Sequence, residues 1–148
     1  MNKAILLPML VLAGWTMLIW IWMYATRIPA MGRAGIDGAK MVGSTGKSLR
    51  DDLVAAGEVR ASWVADNYNH LMEQPTIFYA TALALAVMGE GGSLAVNVAW
   101  GYAGLRIVHS LVQILSNRVV VRFLMFALAS LCLLGLVLLA LSIASAQA

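Results

Sequence analysis

Charge is scarce in this chain, and cysteine and proline are scarcer still. Charged residues make up 11% of its 148 residues, against roughly 25% in a soluble domain. A fully solvated surface cannot be built from so few, which excludes an ordinary soluble globule. The single cysteine, Cys132, lies in an apolar run. It has no internal disulfide partner and no metal-ligand companion, so it reads as a small hydrophobe. No zinc-finger spacing, aromatic–basic interleaving or recognition-helix pattern occurs. The net charge of +3 therefore does not mark a nucleic-acid binder. The basic residues read better as topology signals beside a bilayer.

What the chain has in excess is apolar sequence, 61% of it, gathered into long runs. Four runs qualify as membrane spans: about 4–25, 70–89, 94–115 and 123–146. A helix of about 22 residues covers a hydrocarbon core of about 30 Å. The expected fold class is all-α: an integral membrane four-helix bundle forming one domain. The first run is longer than a signal-peptide core and ends in Trp20, Trp22 and Tyr24, with no A-x-A pattern close behind. It reads as a retained span. The fourth run, Phe123–Ala146, holds no charge. The second is the shortest in apolar residues, Gln74–Gly89. It spans only if its helix starts in the polar stretch before Glu73 and passes Pro75 through a kink or local polar satisfaction.

Lys and Arg set the orientation. Arg27, Arg33, Lys40, Lys47, Arg50 and Arg60 fall between spans one and two, and Arg118 and Arg122 between spans three and four. With four spans these two segments share a side. The positive-inside rule assigns that side to the cytoplasm and both termini to the other side, as in a bacterial inner membrane. The segment about 27–63 is expected as a cytoplasmic loop. Within it, Ser48–Arg60 is a candidate surface helix with Ser48 as N-cap. Gly46-Lys47-Ser48 ends like a phosphate loop, but the earlier glycines are wrongly spaced and no strand precedes them.

The informative residues are polar groups inside otherwise apolar helices. Arg106 lies about halfway along span three, and Glu73 is the natural carboxylate partner. Two readings stand together: an anion-stabilising arginine, or a buried Arg106–Glu73 pair that fixes helix register. His109 is three residues from Arg106 on the same flank, either an acid–base group or an interhelical hydrogen-bonding group. Asp66, Asn67, Asn69, His70 and Glu73 place a polar stripe at the cytoplasmic entrance of span two, either a polar-headed pocket or a helix end crossing the headgroups. His70, His109, Glu73 and Asp66 are acceptable metal ligands, but no ligand signature is present, and no metal is expected. Arg118 and Arg122 read as positive-inside anchors that meet anionic lipid.

The sequence "NHLMEQP" at Asn69–Pro75, "RIVHS" at Arg106–Ser110 and Asn117-Arg118 occur in that order across four spans. In this the chain resembles the MAPEG superfamily, membrane-associated proteins in eicosanoid and glutathione metabolism, as a divergent bacterial-type member. The resemblance implies a homotrimer with sites between subunits, open to the cytoplasmic side, that bind glutathione and activate its thiol with an arginine. It implies a glutathione-binding set of Arg27, Asn69, His70, Glu73 and Arg106, and a catalytic set of Arg106, Arg118 and His109. Departures from the family pattern are equally specific. Asp66 and His70 stand where glutathione-using members carry Arg and Asn, Gln113 stands for a tyrosine, and Val120 falls near the thiol-activating arginine. Arg118 or Arg122 is the substitute. The function implied is a transferase or peroxidase acting on lipophilic electrophiles. The alternative is a non-catalytic lipid-binding or accessory subunit of a larger membrane complex. A channel is disfavoured, because the spans offer no continuous polar path.

Overall fold

The protein is described by a computed structural model covering residues 3–89 and 92–147. Six α-helices carry the fold: α1 (Leu6–Arg33), α2 (Gly46–Ala55), α3 (Val59–Leu71), α4 (Pro75–Met88), α5 (Ser93–Leu115) and α6 (Val119–Gln147). Among the described residues there is no strand. In hydrocarbon every backbone N–H and C=O must be satisfied within the segment, so each apolar run becomes a helix. Four stretches are long and apolar enough to cross a bilayer: Lys3–Arg33, Val59–Met88, Ser93–Leu115 and Val119–Gln147. The second of these combines α3 and α4.

α1 packs on α3 and α5, and α5 packs along α6. Small residues carry these contacts: Ala82 and Ala86 on α4, Ala95, Ala99 and Ala103 on α5, and Ala129 on α6 are all buried. Lipid tails are as apolar as leucine, so close backbone approach drives helix association. Leu12, Ile19, Phe78, Leu85, Tyr102 and Leu136 fill the space between them. The Phe78 and Tyr102 rings lie 4.4 Å apart. Leu131, Leu134, Leu138 and Leu141 of α6 face outward.

The region about 27–63, expected as a loop, is largely helical. α1 continues past Arg27 and through Pro29 to Arg33, because leaving the hydrocarbon does not by itself end a helix. Pro29 removes one hydrogen bond, at a level where water can replace it. α3 begins at Val59, so the connection shrinks to residues 34–58. α2 also starts earlier than Ser48. Thr45 is its N-cap and accepts from the Ser48 backbone N–H at 3.1 Å, while Ser48 Oγ accepts from the Thr45 N–H at 2.9 Å. Ser48 thus closes a reciprocal capping box from the third helical position. Gly57, at φ 85°, makes the left-handed turn into α3.

The second span is broken between Leu71 and Pro75. Pro75 occupies the first turn of α4, where its missing N–H costs nothing. Gln74 fixes the break: its Nε2 donates to Ser130 Oγ of α6 at 2.8 Å, and its Oε1 lies 3.5 Å from the Tyr102 hydroxyl of α5.

Candidate functional site

Arg106 is fully buried on the face of α5 that meets the end of α3. Its Nη2 donates to the His70 backbone carbonyl at 2.7 Å, and its Nη1 lies 3.2 Å from His70 Nε2. The guanidinium carbon is 5.9 Å from the centre of the Phe126 ring, within cation–π range. The direct Arg106–Glu73 pair expected from sequence does not form. His70 stands between them, with Nδ1 3.0 Å from Glu73 Oε2. Glu73 is mostly exposed, its side chain at 68%, because the break in the second span turns it off the buried face. Among the described residues no carboxylate pairs with Arg106.

This geometry assigns the His70 tautomer. A guanidinium only donates, so Nε2 accepts and the proton sits on Nδ1, which donates to Glu73. The His109 ring lies 4.9 Å from that of His70. His109 Nδ1 is buried without a hydrogen-bond partner. A cavity of about 220 Å³ opens beside the pair, lined by His70, His109, Val119, Arg122, Phe123 and Phe126. Arg122 Nη1 donates to Asn117 Oδ1, and Asn117 itself turns the chain into α6 with φ 49°. Arg122 Nε is buried and unpartnered.

Of the expected site residues, His70, Glu73, Arg106 and His109 come together. Arg27 does not join them; it reaches the Gly46 carbonyl at 3.5 Å. Arg118 is exposed at the turn between α5 and α6, and Asn69 is exposed on α3. The rest of the polar stripe disperses. Asp66 takes the Arg50 Nε at 3.1 and 3.0 Å. Asn67, fully buried, donates to Gln113 Oε1 at 3.1 Å. Arg122, expected only as an anchor or as a substitute for the thiol-activating arginine, and Phe126, not expected at all, complete the cavity. Their i,i+4 spacing one turn after Arg118 was the signal available for them.

A family model described as the MAPEG family matches residues 5–142. The chain belongs to the MAPEG family. No curated protein and no solved structure matches it. The MAPEG family includes glutathione transferases and peroxidases, and with its four apolar helices the chain is an integral membrane protein. At two positions where the resemblance implies a departure from the family pattern, the structure shows a local partner. Asp66, standing for an arginine, is matched by a guanidinium brought in from α2. Gln113, standing for a tyrosine, is committed to Asn67.

Proposed function

We propose that this MAPEG protein is a glutathione-dependent transferase or peroxidase acting on lipophilic electrophiles. The observation that carries the reading is a buried cation, Arg106, with no carboxylate partner, behind a cavity that holds a second cation, Arg122. Positive charge without a carboxylate counter-ion favours a thiolate over a thiol, against the desolvation that burial imposes on it. The donor set fits: Arg122 Nε and His109 Nδ1 both lack partners. Glutathione supplies a thiol whose thiolate form attacks an electrophilic carbon, displacing its leaving group, or a hydroperoxide oxygen, displacing an alkoxide. Arg122 lines the cavity and would supply the cation that stabilises the thiolate. Arg106 does not reach the cavity and acts through His70, so it is a positioning residue. The exposed Glu73 carboxylate suits an ammonium, with the Asn69 amide beside it. Arg27 and Arg118 suit carboxylates at the rim, reached from a neighbouring copy in a homotrimer. The basic end is assigned to the cytoplasm of a bacterial inner membrane, with both termini opposite.

A second reading is favoured by one observation. Arg106 already has a backbone acceptor, and Asn67 and Gln113 satisfy one another, as they would in a non-catalytic lipid-binding or accessory membrane protein. Calorimetry with glutathione in nanodiscs separates the two. A saturable heat, weakened at least tenfold by Arg122→Ala, together with conjugation of a chlorodinitrobenzene above the uncatalysed rate, supports the enzyme. No heat and no rate leaves the accessory role.

A further inference from the structure

A second cavity, larger than the one beside His70 and His109, lies away from that cluster. It is a groove of about 520 Å³ at the basic end, walled by Trp22, Ala25 and Pro29 of α1, Val64 of α3 and Ile114 of α5. Its walls between the helices are mostly apolar, and the Thr26 hydroxyl among them donates to the Trp22 and Met23 carbonyls at 2.9 and 3.1 Å. Its rim is charged, with Arg33, Glu58 and Arg60. Arg33 is fully engaged by Glu58, through Nε at 2.6 Å and Nη2 at 2.7 Å. Arg60 has no ion-pair partner among the described residues. Two cations against one carboxylate leave the rim net positive.

Depth matters as much as charge. α1 has 28 residues, which is about 42 Å of helix. That equals the full bilayer with its headgroup layers, about 40–45 Å. Arg33 at its end therefore stands at headgroup level, and Trp22, eleven residues earlier, lies about 16 Å deeper. The groove runs from a cationic rim among phosphates to mostly apolar walls among acyl chains. We infer that it is a docking site for one anionic phospholipid, with the phosphate on Arg60 and an acyl chain between α1, α3 and α5. The inference is independent of glutathione chemistry.

Native mass spectrometry of the full chain in detergent tests it, with phosphatidylglycerol set against phosphatidylcholine of the same acyl chains. Adducts with phosphatidylglycerol are expected at about fivefold lower lipid concentration, given the contribution of one cation near anionic headgroups. Arg60→Glu, at an exposed position, is expected to abolish that preference. Ala25→Phe is expected to reduce adducts with both lipids by filling the groove. Equal binding of the two lipids, or a preference unchanged in Arg60→Glu, overturns the assignment. So does competition by free glycerol phosphate as strong as by the lipid, which would mark a soluble-anion site. Copy-to-copy cross-linking through Ala25→Cys in a Cys132→Ser background would overturn it too, by showing a second chain in the groove.

Discussion

Arg106 Nη2 and the His70 carbonyl are 2.7 Å apart, a hydrogen bond between a buried side chain of α5 and the last turn of α3. Arg106→Met removes the charge and keeps much of the volume, yet strands the His70 carbonyl and Nε2. The expected loss is about 2 kcal/mol, typical of a bond to a charged group. Equilibrium unfolding in mixed micelles measures it. Arg106→Lys should recover only part of the loss, because a single ammonium cannot reproduce the two-point fork.

Asn67 and Gln113 are both buried and joined at 3.1 Å. Each single alanine variant leaves its partner's amide without this bond. A double-mutant cycle should return a coupling of about 1 kcal/mol. Strictly additive losses in the same unfolding assay would mean that the two amides act independently.

Gln74 ties the break in the second span to α5 and α6. Gln74→Ala should raise hydrogen exchange at residues 72–76 and cost about 1 kcal/mol. Pro75→Ala should change stability by less, about 0.5 kcal/mol either way, because the first helical position needs no N–H donor. A larger loss from Pro75→Ala than from Gln74→Ala would reverse the assignment of what holds the break.

Acid should loosen the junction between α1 and α3. The Arg33 guanidinium, hydrogen-bonded to Glu58, holds the Glu58 carboxyl below its ordinary range. A depressed folded-state value means that the unfolded chain binds the proton first. The contribution is complete above the unfolded value of about 4.3 and is lost as pH falls through the lower, folded one. Stability against pH should therefore drop more steeply on the acid side for the parent than for Glu58→Gln. Parallel curves would show that the pair adds nothing in solution.

The four-helix membrane fold was legible because apolar runs without charge admit one solution in lipid. Phe123–Ala146 announced itself that way. The end of α1 was not legible, since the chemistry of residues 27–33 favours neither loop nor helix once outside hydrocarbon. In the site, sequence brought together His70, Glu73, Arg106 and His109 but mispaired them. Spacing along one helix shows which residues share a face. It does not show that a three-residue break rotates Glu73 outward and leaves His70 facing Arg106. Phe126 escaped notice because it sits on α6, whose long apolar run hides which side meets α3; Arg122 was legible as an anchor or a substitute arginine but not as a wall of this cavity.

The break at Leu71–Pro75 also decides what kind of counter-charge Arg106 receives. The last four carbonyls of a helix have no intrahelical donor, and their aligned peptide dipoles give that end a partial negative charge. Arg106 binds one of them, so its electrostatic partner is the tail of α3. A carboxylate in that place would lose its charge on protonation; a peptide group has no proton to gain over the physiological range. The cation behind the cavity is thus held by a counter-pole that neither acid nor base can switch off.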